Sequence, residues 1–166
     1  ERLGRGAVPD MTLAENALLT AHAQGMVARG FVRDEVVRDF AAATIGEFGV
    51  KAGGPDAAAR SLSGGNLQKY IVGREIRQHP RVLIVSQPTW GVDVGAAAQI
   101  RQALVDLAQR GVAVLVVSEE LDELFEICDR LAVIAQGRLS HAKPVAETDP
   151  GEIGQLMAGS FRSEER

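Results

Sequence analysis

A short polar stretch, residues 61–70, has the residue types of a phosphate-binding helix start. It reads Ser-Leu-Ser-Gly-Gly-Asn-Leu-Gln-Lys-Tyr, and apolar residues at helical spacing follow it. Ser63 is a good helix N-cap, because its hydroxyl can accept a hydrogen bond from a backbone N–H of the first turn. Gly64 and Gly65 each cost a helix roughly 1 kcal/mol relative to alanine, which indicates a need for bare backbone. Bare N–H groups at a helix N-terminus favour an anion such as phosphate; a glycine-rich turn without a ligand is the alternative.

The composition is that of a folded protein of ordinary size. The 166 residues are 46% hydrophobic and 24% charged, which argues against disorder. The net charge is −4 and no Lys/Arg block occurs, so we expect no nucleic-acid partner, because duplex binding needs a clustered basic face. The sequence has no run of about 18 apolar residues that would predict a membrane span. It opens on Glu1, without a methionine or a signal peptide, and we expect a piece of a longer polypeptide.

The sulfur and imidazole side chains do not suggest a reactive centre. The single cysteine, Cys128, lies in an apolar helical pattern, and we interpret it as a small core residue rather than a nucleophile. His22, His79 and His141 share no ligand spacing, so a metal site built on histidine is not expected.

Helical periodicity dominates the first 79 residues. The predicted helices cover about residues 11–23, 34–48 and 63–78. Thr12 and Glu15 have the spacing of a capping box, and Asp34 is expected to cap the second helix. We expect this part of the chain to be entirely helical.

The remaining residues alternate between strand and helix patterns. Strands are predicted at 81–86, 112–117 and 131–134, with helices at 95–110 and 120–128 between them. The continuous apolar runs predict strands buried on both faces, and the alternation predicts a parallel sheet with right-handed crossovers. Gly137 is expected to turn the chain. Asp149 is expected to cap a last helix ending near residue 158, with residues 160–166 as a loose tail.

Four segments, in order, resemble the motifs of ABC-type ATPases. Residues 62–69 resemble the signature motif, and residues 82–89 resemble the Walker B strand with its extension. Residues 91–93 resemble the D-loop, and residues 114–123 resemble the strand that ends in the switch-histidine loop. The resemblance covers nearly the whole chain.

Two details of these motifs resemble a subgroup. Residues 63–66 and 88–96 are similar to importers of nucleosides and simple sugars, in which two nucleotide-binding domains are fused in one polypeptide. The Gln87-Pro88 variant and residues 118–123 resemble most the second, C-terminal domain of the nucleoside type.

The resemblance implies an α/β fold, a partial P-loop NTPase (ABC ATPase) core with parallel strands plus an α-helical signature-motif subdomain. It divides the chain into the helical subdomain at residues 1–79, the distal RecA-like core at 80–145, and a C-terminal helix and tail at 146–166. A P-loop needs Gly-Lys followed by Ser or Thr, and none of the three lysines follows a glycine. The Walker A motif is therefore expected upstream of this chain.

The signature is expected to serve a neighbour. In this family two nucleotide-binding domains pair head to tail, and the signature of one closes over the ATP held by the other. The cofactors implied are ATP and Mg²⁺, held mainly by the partner domain. For Asp93, capping of the helix from Gly95 is the alternative to a role across the interface. The nucleotide-binding residues implied are Leu62, Ser63, Gly64, Gly65, Asn66, Gln68 and Asp93.

Three positions depart from the family pattern. Ser86 stands where an aspartate usually supports Mg²⁺, and it offers a hard cation no charge. Gln87 replaces the catalytic glutamate, and loss of a general base typically costs about 10²–10⁴-fold in rate. Glu119 replaces the switch histidine and would repel the γ-phosphate. We expect this domain's own site to bind and hydrolyse little, unless Gln87 and Glu119 are plain surface residues.

The function implied is that of the ATP-binding subunit of a nucleoside or simple-sugar importer at the cytoplasmic face of the membrane. The full polypeptide is expected to hydrolyse ATP, and this fragment alone is expected to be inactive. The other partners implied are membrane permease subunits, contacted around residues 11–30, and indirectly a periplasmic or lipoprotein solute-binding protein. Trp90 packs either at the dimer interface or on its own loop. The alternatives are a non-catalytic regulatory or dimerisation half, and a soluble ABC ATPase unlinked to transport.

Overall fold

The computed structural model describes residues 6–160, so the start of the chain and most of the expected tail, residues 161–166, lie outside it. The chain forms two compact units, Glu1–Val117 and Ser118–Arg166. The division expected from the resemblance, at residues 79 and 145, is one of function, and these compact units do not test it.

Four helices form most of the first unit: α1 Leu13–Ala21, α2 Asp34–Glu47, α3 Gly64–Ile76 and α4 Val94–Gln109. They agree with the predicted helices to within about two residues at each end. The capping box of α1 is confirmed, because Thr12 Oγ1 accepts from the Glu15 N–H at 3.0 Å and the Glu15 carboxylate accepts from the Thr12 N–H at 2.7 Å. The spacing of residue types alone was sufficient for this part of the fold.

The predicted cap of α2 is wrong. Arg33 occupies the N-cap position and makes no side-chain cap hydrogen bond, and Asp34 is the first residue of the helix. Asp34 and Glu35 both lie in the first turn, where the positive end of the helix dipole favours acidic side chains. Aspartate is favoured both as an N-cap and in the first turn of a helix. The sequence alone therefore could not decide which of the two positions Asp34 occupies.

The expectation of an entirely helical first part is also wrong. A hairpin joins α1 to α2, with β1 Val27–Ala28 antiparallel to β2 Phe31–Val32. Its two turn residues, Arg29 and Gly30, have φ of 51° and 83°, as a two-residue hairpin turn requires. Strands of two residues are too short to show an alternating pattern, so periodicity could not reveal them.

A parallel pair of strands completes the first unit. β3 Val82–Ser86 pairs with β4 Ala113–Val117, and α4 makes the connection. The strands and their direction are confirmed, whereas burial on both faces is not. Leu83, facing the helices, is 7% exposed, but Ile84 on the opposite face is 67% exposed. An apolar run shows that a strand can be buried, and what packs on each face decides whether it is.

The core of the first unit lies between the first three helices, around Leu13, Met26 and Tyr70. The Tyr70 hydroxyl donates to the Leu13 carbonyl at 2.6 Å, and the buried Arg74 guanidinium donates to the Asn16 carbonyl at 3.0 Å. These bonds satisfy buried polar groups, which would otherwise cost about 1–3 kcal/mol each. They fix α3 against α1 and so hold the N-terminal end of α3 in place.

The second unit contains α5 Leu121–Ile127, four short strands and α6 Pro150–Met157. The strands are β5 Arg130–Leu131, β6 Ile134–Ala135, β7 Arg138–Leu139 and β8 Lys143–Pro144. The predicted single strand at 131–134 is wrong: its two ends belong to β5 and β6, which pair antiparallel with β8 and β7. Gly137 turns the chain as expected, and it and Gln136 both have positive φ.

Of the two helices in this unit, α6 begins at a side-chain cap and α5 does not. Asp149 caps α6, as predicted, by accepting from the Glu152 N–H at 3.0 Å. Cys128, interpreted from its apolar helical pattern as a small core residue, is half-buried and is the C-cap of α5. Burial raises the pKa of its thiol, and the carboxylates of Asp129 and Glu123 raise it further.

Among residues 6–160, no helix has the length and apolar character needed to cross a membrane.

Candidate nucleotide-contacting site

The N-terminus of α3 has the geometry expected of an anion-binding helix end. Ser63 is the N-cap, with extended backbone, and its Oγ accepts from the Asn66 N–H at 3.4 Å and from Asn66 Nδ2 at 2.9 Å. Ser63 and Gly64 are exposed. The first N–H groups of a helix have no intrahelical acceptor, so those of Gly64 and Gly65 can meet an anion at the positive end of the dipole.

The other residues of the signature stretch differ in how much surface they offer a ligand. Asn66 uses its amide oxygen to accept from the Lys51 N–H at 2.8 Å. Gln68 is only 8% exposed. Leu62 is half-buried and Gly65 is buried. The side-chain surface of the stretch open to a nucleotide is therefore concentrated at Ser63 and the adjoining backbone.

Asp93 is the N-cap of α4. Its Oδ1 accepts from the Ala96 N–H at 2.9 Å, so the capping role left open by the sequence is present. That hydrogen bond is the main cause that holds the pKa of Asp93 below its ordinary value, and the charge of Lys69 contributes. The carboxylate also lies beside Gly65 of α3. This contact had no signal in the sequence, because it joins two turns that are far apart along the chain.

Ser86 and Gln87 stand at the carboxyl end of β3, the edge where ligands of open α/β sheets bind. Ser86 is exposed and Gln87 is half-buried. The Gln87 N–H donates to the Val117 carbonyl at 2.7 Å, and its φ of 51° is uncommon for a residue other than glycine. The left-handed backbone at this position was not predicted, and it directs the chain from the strand into the buried Pro88.

The donor atoms at this strand end do not fit a magnesium ion. Mg²⁺ is held through one or two carboxylates, whereas Ser86 and Gln87 supply a hydroxyl and an amide. Within residues 6–160, no three His, Cys, Asp or Glu side chains are grouped to hold a metal. The N-terminus of α3, in contrast, fits a phosphate.

Glu119 lies at the start of the second unit and is exposed. Its neighbours form the start of α5: Ser118 Oγ accepts from the Glu120 N–H at 3.1 Å and donates to the Glu123 carboxylate at 3.2 Å. A carboxylate accepts hydrogen bonds and donates none, so a carboxylate at position 119 does not replace the hydrogen bond that a histidine donates to a phosphate oxygen.

Comparison with known proteins gives relatives for nearly the whole chain. It is 44% identical over 155 residues to the nucleoside import ATP-binding protein NupA of Lactococcus lactis subsp. cremoris, covering 93% of this chain and 31% of that protein. It is 35% identical over 159 residues to the ribose import ATP-binding protein RbsA 2 of Rhizobium meliloti, covering 96% of this chain and 31% of that one. The chain thus spans about a third of the length of these relatives. No protein-family model matches it.

The fold is that of known ATP-binding cassettes. The dimeric, ADP- and phosphate-bound cassette MJ0796 superposes with a TM-score of 0.71 at 21% identity, over 86% of this chain and 61% of the cassette. Fold and sequence likeness agree on the class: the chain has the α/β fold of the ABC-type ATPases, and its relatives are ATP-binding proteins of importers. The relatives are named as import ATP-binding proteins for nucleosides or ribose, which confirms the resemblance seen in the motifs.

Proposed function

We propose that this chain supplies the signature half of a composite ATP site, in a polypeptide that energises an importer of nucleosides or simple sugars. Ser63, Gly64 and Gly65 at the N-terminus of α3 face the γ-phosphate of an ATP held by a partner nucleotide-binding domain. The full polypeptide is an ATP hydrolase docked on permease subunits at the cytoplasmic face of the membrane. This chain alone, without a Walker A motif, is inactive.

The observation that supports this best is the exposed, serine-capped end of α3, an anion site for which the described residues offer no phosphate-gripping lysine loop of their own. Relatives named for nucleoside import match at 44% identity and those named for ribose import at 35%. We therefore favour a nucleoside as the transported solute. The dimeric form of the cassette with the similar fold supports pairing of two domains.

Asp93 has an indirect role in this proposal. Because Oδ1 is engaged in capping α4, we assign Asp93 to shaping the signature end rather than to grasping the nucleotide directly. Asn66 and Gln68 stabilise the turn rather than contact the nucleotide. The amide oxygen of Asn66 accepts from the Lys51 N–H, and the Gln68 side chain is buried. Leu62 is partly buried against the core of the first unit.

A second function, that of a non-catalytic half that pairs and regulates, is favoured for this domain's own site. The strand end carries the neutral Ser86 and Gln87, and Glu119 cannot donate a hydrogen bond to phosphate. The two functions are compatible, because one concerns the ATP of this domain and the other the ATP of its partner.

Substitutions of Ser63 separate its capping role from its phosphate contact. Ser63→Asp keeps a cap of equal quality but places a negative charge against the γ-phosphate, so steady-state ATPase activity of the full polypeptide should fall about 100-fold or more. Ser63→Thr keeps both roles and should stay within a few-fold of the parent. Ser61→Ala, an exposed serine two residues away that bonds the Ala58 carbonyl, is the matched control. Normal turnover of Ser63→Asp would show that the end of α3 does not meet ATP.

A further inference from the structure

The first turns of α3 and α4 meet at Gly65. A Cβ at position 65 would lie 2.9 Å from Asp93 Oδ2 and 3.1 Å from the Ala96 Cβ. Unstrained contacts between carbon atoms are about 3.5–4.0 Å, so a side chain at position 65 requires the Asp93 carboxylate to move and the start of α4 to shift by a few tenths of an ångström. Gly64, the neighbouring glycine, is exposed, whereas Gly65 is buried. The two glycines therefore have different surroundings, one open to a ligand and the other packed against a second helix.

Asp93 makes contacts with both helix ends. Its Oδ1 caps α4 through the Ala96 N–H, and its Oδ2 is the atom nearest to Gly65 on α3. Its carboxylate thus lies at the positive ends of two helix dipoles, where a negative charge is stabilised. Lys69, farther along α3, adds a favourable charge. These interactions favour the charged form of Asp93 and hold its carboxylate between the first turns of α3 and α4.

We propose that Asp93 is a positioning residue that holds the signature turn of α3 against the first turn of α4, with Gly65 as the point of contact. This rests on the proposed function, in which that turn of α3 faces the partner's ATP. The loop between β3 and α4 is then coupled to the signature turn. A displacement of this loop would change the position of Ser63 relative to the γ-phosphate. Glycine is favoured at position 65 because α3 and α4 approach each other there too closely for a side chain to fit without a shift.

A double-mutant cycle in the full polypeptide tests this directly. Gly65→Ala should lower kcat/KM for ATP about tenfold or more, because the added methyl group pushes α3 from α4. Asp93→Ser keeps a capping oxygen but removes the one nearest to position 65, so the double variant should lose less activity than the product of the two single losses. Couplings of roughly 2- to 100-fold are typical of residues in contact. The control cycle pairs Asp93→Ser with Gly64→Ala, whose effects should multiply. Multiplying effects in the Gly65 cycle would overturn the proposal.

Hydrogen exchange gives a readout that does not depend on turnover. Asp93→Ser keeps a capping oxygen, so if Asp93 only caps α4, exchange at the Asn66 and Leu67 amides should be unchanged. If Asp93 positions α3, exchange should rise at these two amides, which bond to Ser63. Unchanged exchange at both amides would overturn the proposal even if Gly65→Ala failed to fold. A parent protein without ATPase activity would contradict the proposed function instead, and the exchange experiment would still decide the role of Asp93.

Discussion

Ser86 and Gln87 carry no charge at the strand end where a cassette that hydrolyses its own ATP would need it. The amide of Gln87 can orient a water molecule but cannot accept its proton, and the hydroxyl of Ser86 is a poor partner for a hard cation. Gln87 has nearly the shape of the glutamate expected there, whereas Ser86 is smaller than the expected aspartate. The difference at this site is therefore one of chemistry and can be reversed by substitution.

Restoring the carboxylates should restore some hydrolysis at this domain's own site. We expect Ser86→Asp with Gln87→Glu to raise its single-turnover rate by at least about tenfold, and by less than the 10²–10⁴-fold typical of a general base, because Glu119 remains. The measurement is made in the full polypeptide with Ser63→Asp, which silences the site that borrows this signature. Ser86→Asp alone serves as the control. An unchanged rate in the double variant would show that the strand end is not the limiting defect.

At the residue scale, part of the site could be predicted from residue types. The capping role of Ser63 followed from its position before a helical pattern, because a cap is a local interaction. For Asp93, capping was the alternative to a role across the interface, and the structure shows the cap. The contact of Asp93 with Gly65 could not be predicted, since it depends on how α3 and α4 pack. The left-handed backbone of Gln87 had no signal either, because glutamine rarely adopts it.

Among the elements, α1 has the most complete local signal. Its capping box satisfies two backbone N–H groups reciprocally, through Thr12 and Glu15. The backbone N–H and hydroxyl of Thr12 hold the pKa of Glu15 below its ordinary value of 4.5. A carboxyl group with a lowered pKa in the folded state stabilises the fold fully above its unfolded value, and this contribution is lost as the pH falls through the folded value.

The pH dependence of stability should report this capping box. Glu15→Gln keeps an acceptor for the Thr12 N–H but no longer titrates. Between about pH 6 and pH 3, we expect the Tm of the parent to fall more steeply than that of Glu15→Gln. Glu35→Gln, in the exposed first turn of α2, is the control substitution. The measurement is thermal unfolding followed by circular dichroism, and parallel Tm curves for the parent and Glu15→Gln would contradict the prediction.

The elements that sequence reasoning missed share a physical cause. The hairpin of β1 and β2 and the pairs formed by β5 to β8 consist of two-residue strands, which show no periodicity. They are set by turns with positive φ, at Arg29-Gly30 and Gln136-Gly137. Of these turns only Gly137 was recognised. Long helices and the five-residue strands, in contrast, were found because their patterns extend over several residues.

For the whole molecule, the order of the motifs carried more information than any single one. The class was confirmed by relatives that match nearly the whole chain and by the cassette fold. The exposed face of the β3–β4 pair shows where pattern reasoning failed: Val82, Ile84 and Leu115 are 60%, 67% and 54% exposed. Their apolar character was evident, but burial depends on the surface that packs against them.

The number of ATP molecules hydrolysed per pair of cassettes tests the central claim most directly. The full polypeptide is mixed rapidly with excess labelled ATP, the reaction is quenched before ADP leaves, and the ADP formed is counted per polypeptide. We propose that this chain lends its signature to the partner's ATP while its own strand end lacks catalytic carboxylates, and this proposal predicts one ADP per pair. It also predicts the same count in Gln87→Ala. Two ADP per pair, or loss of the burst in Gln87→Ala, would contradict it.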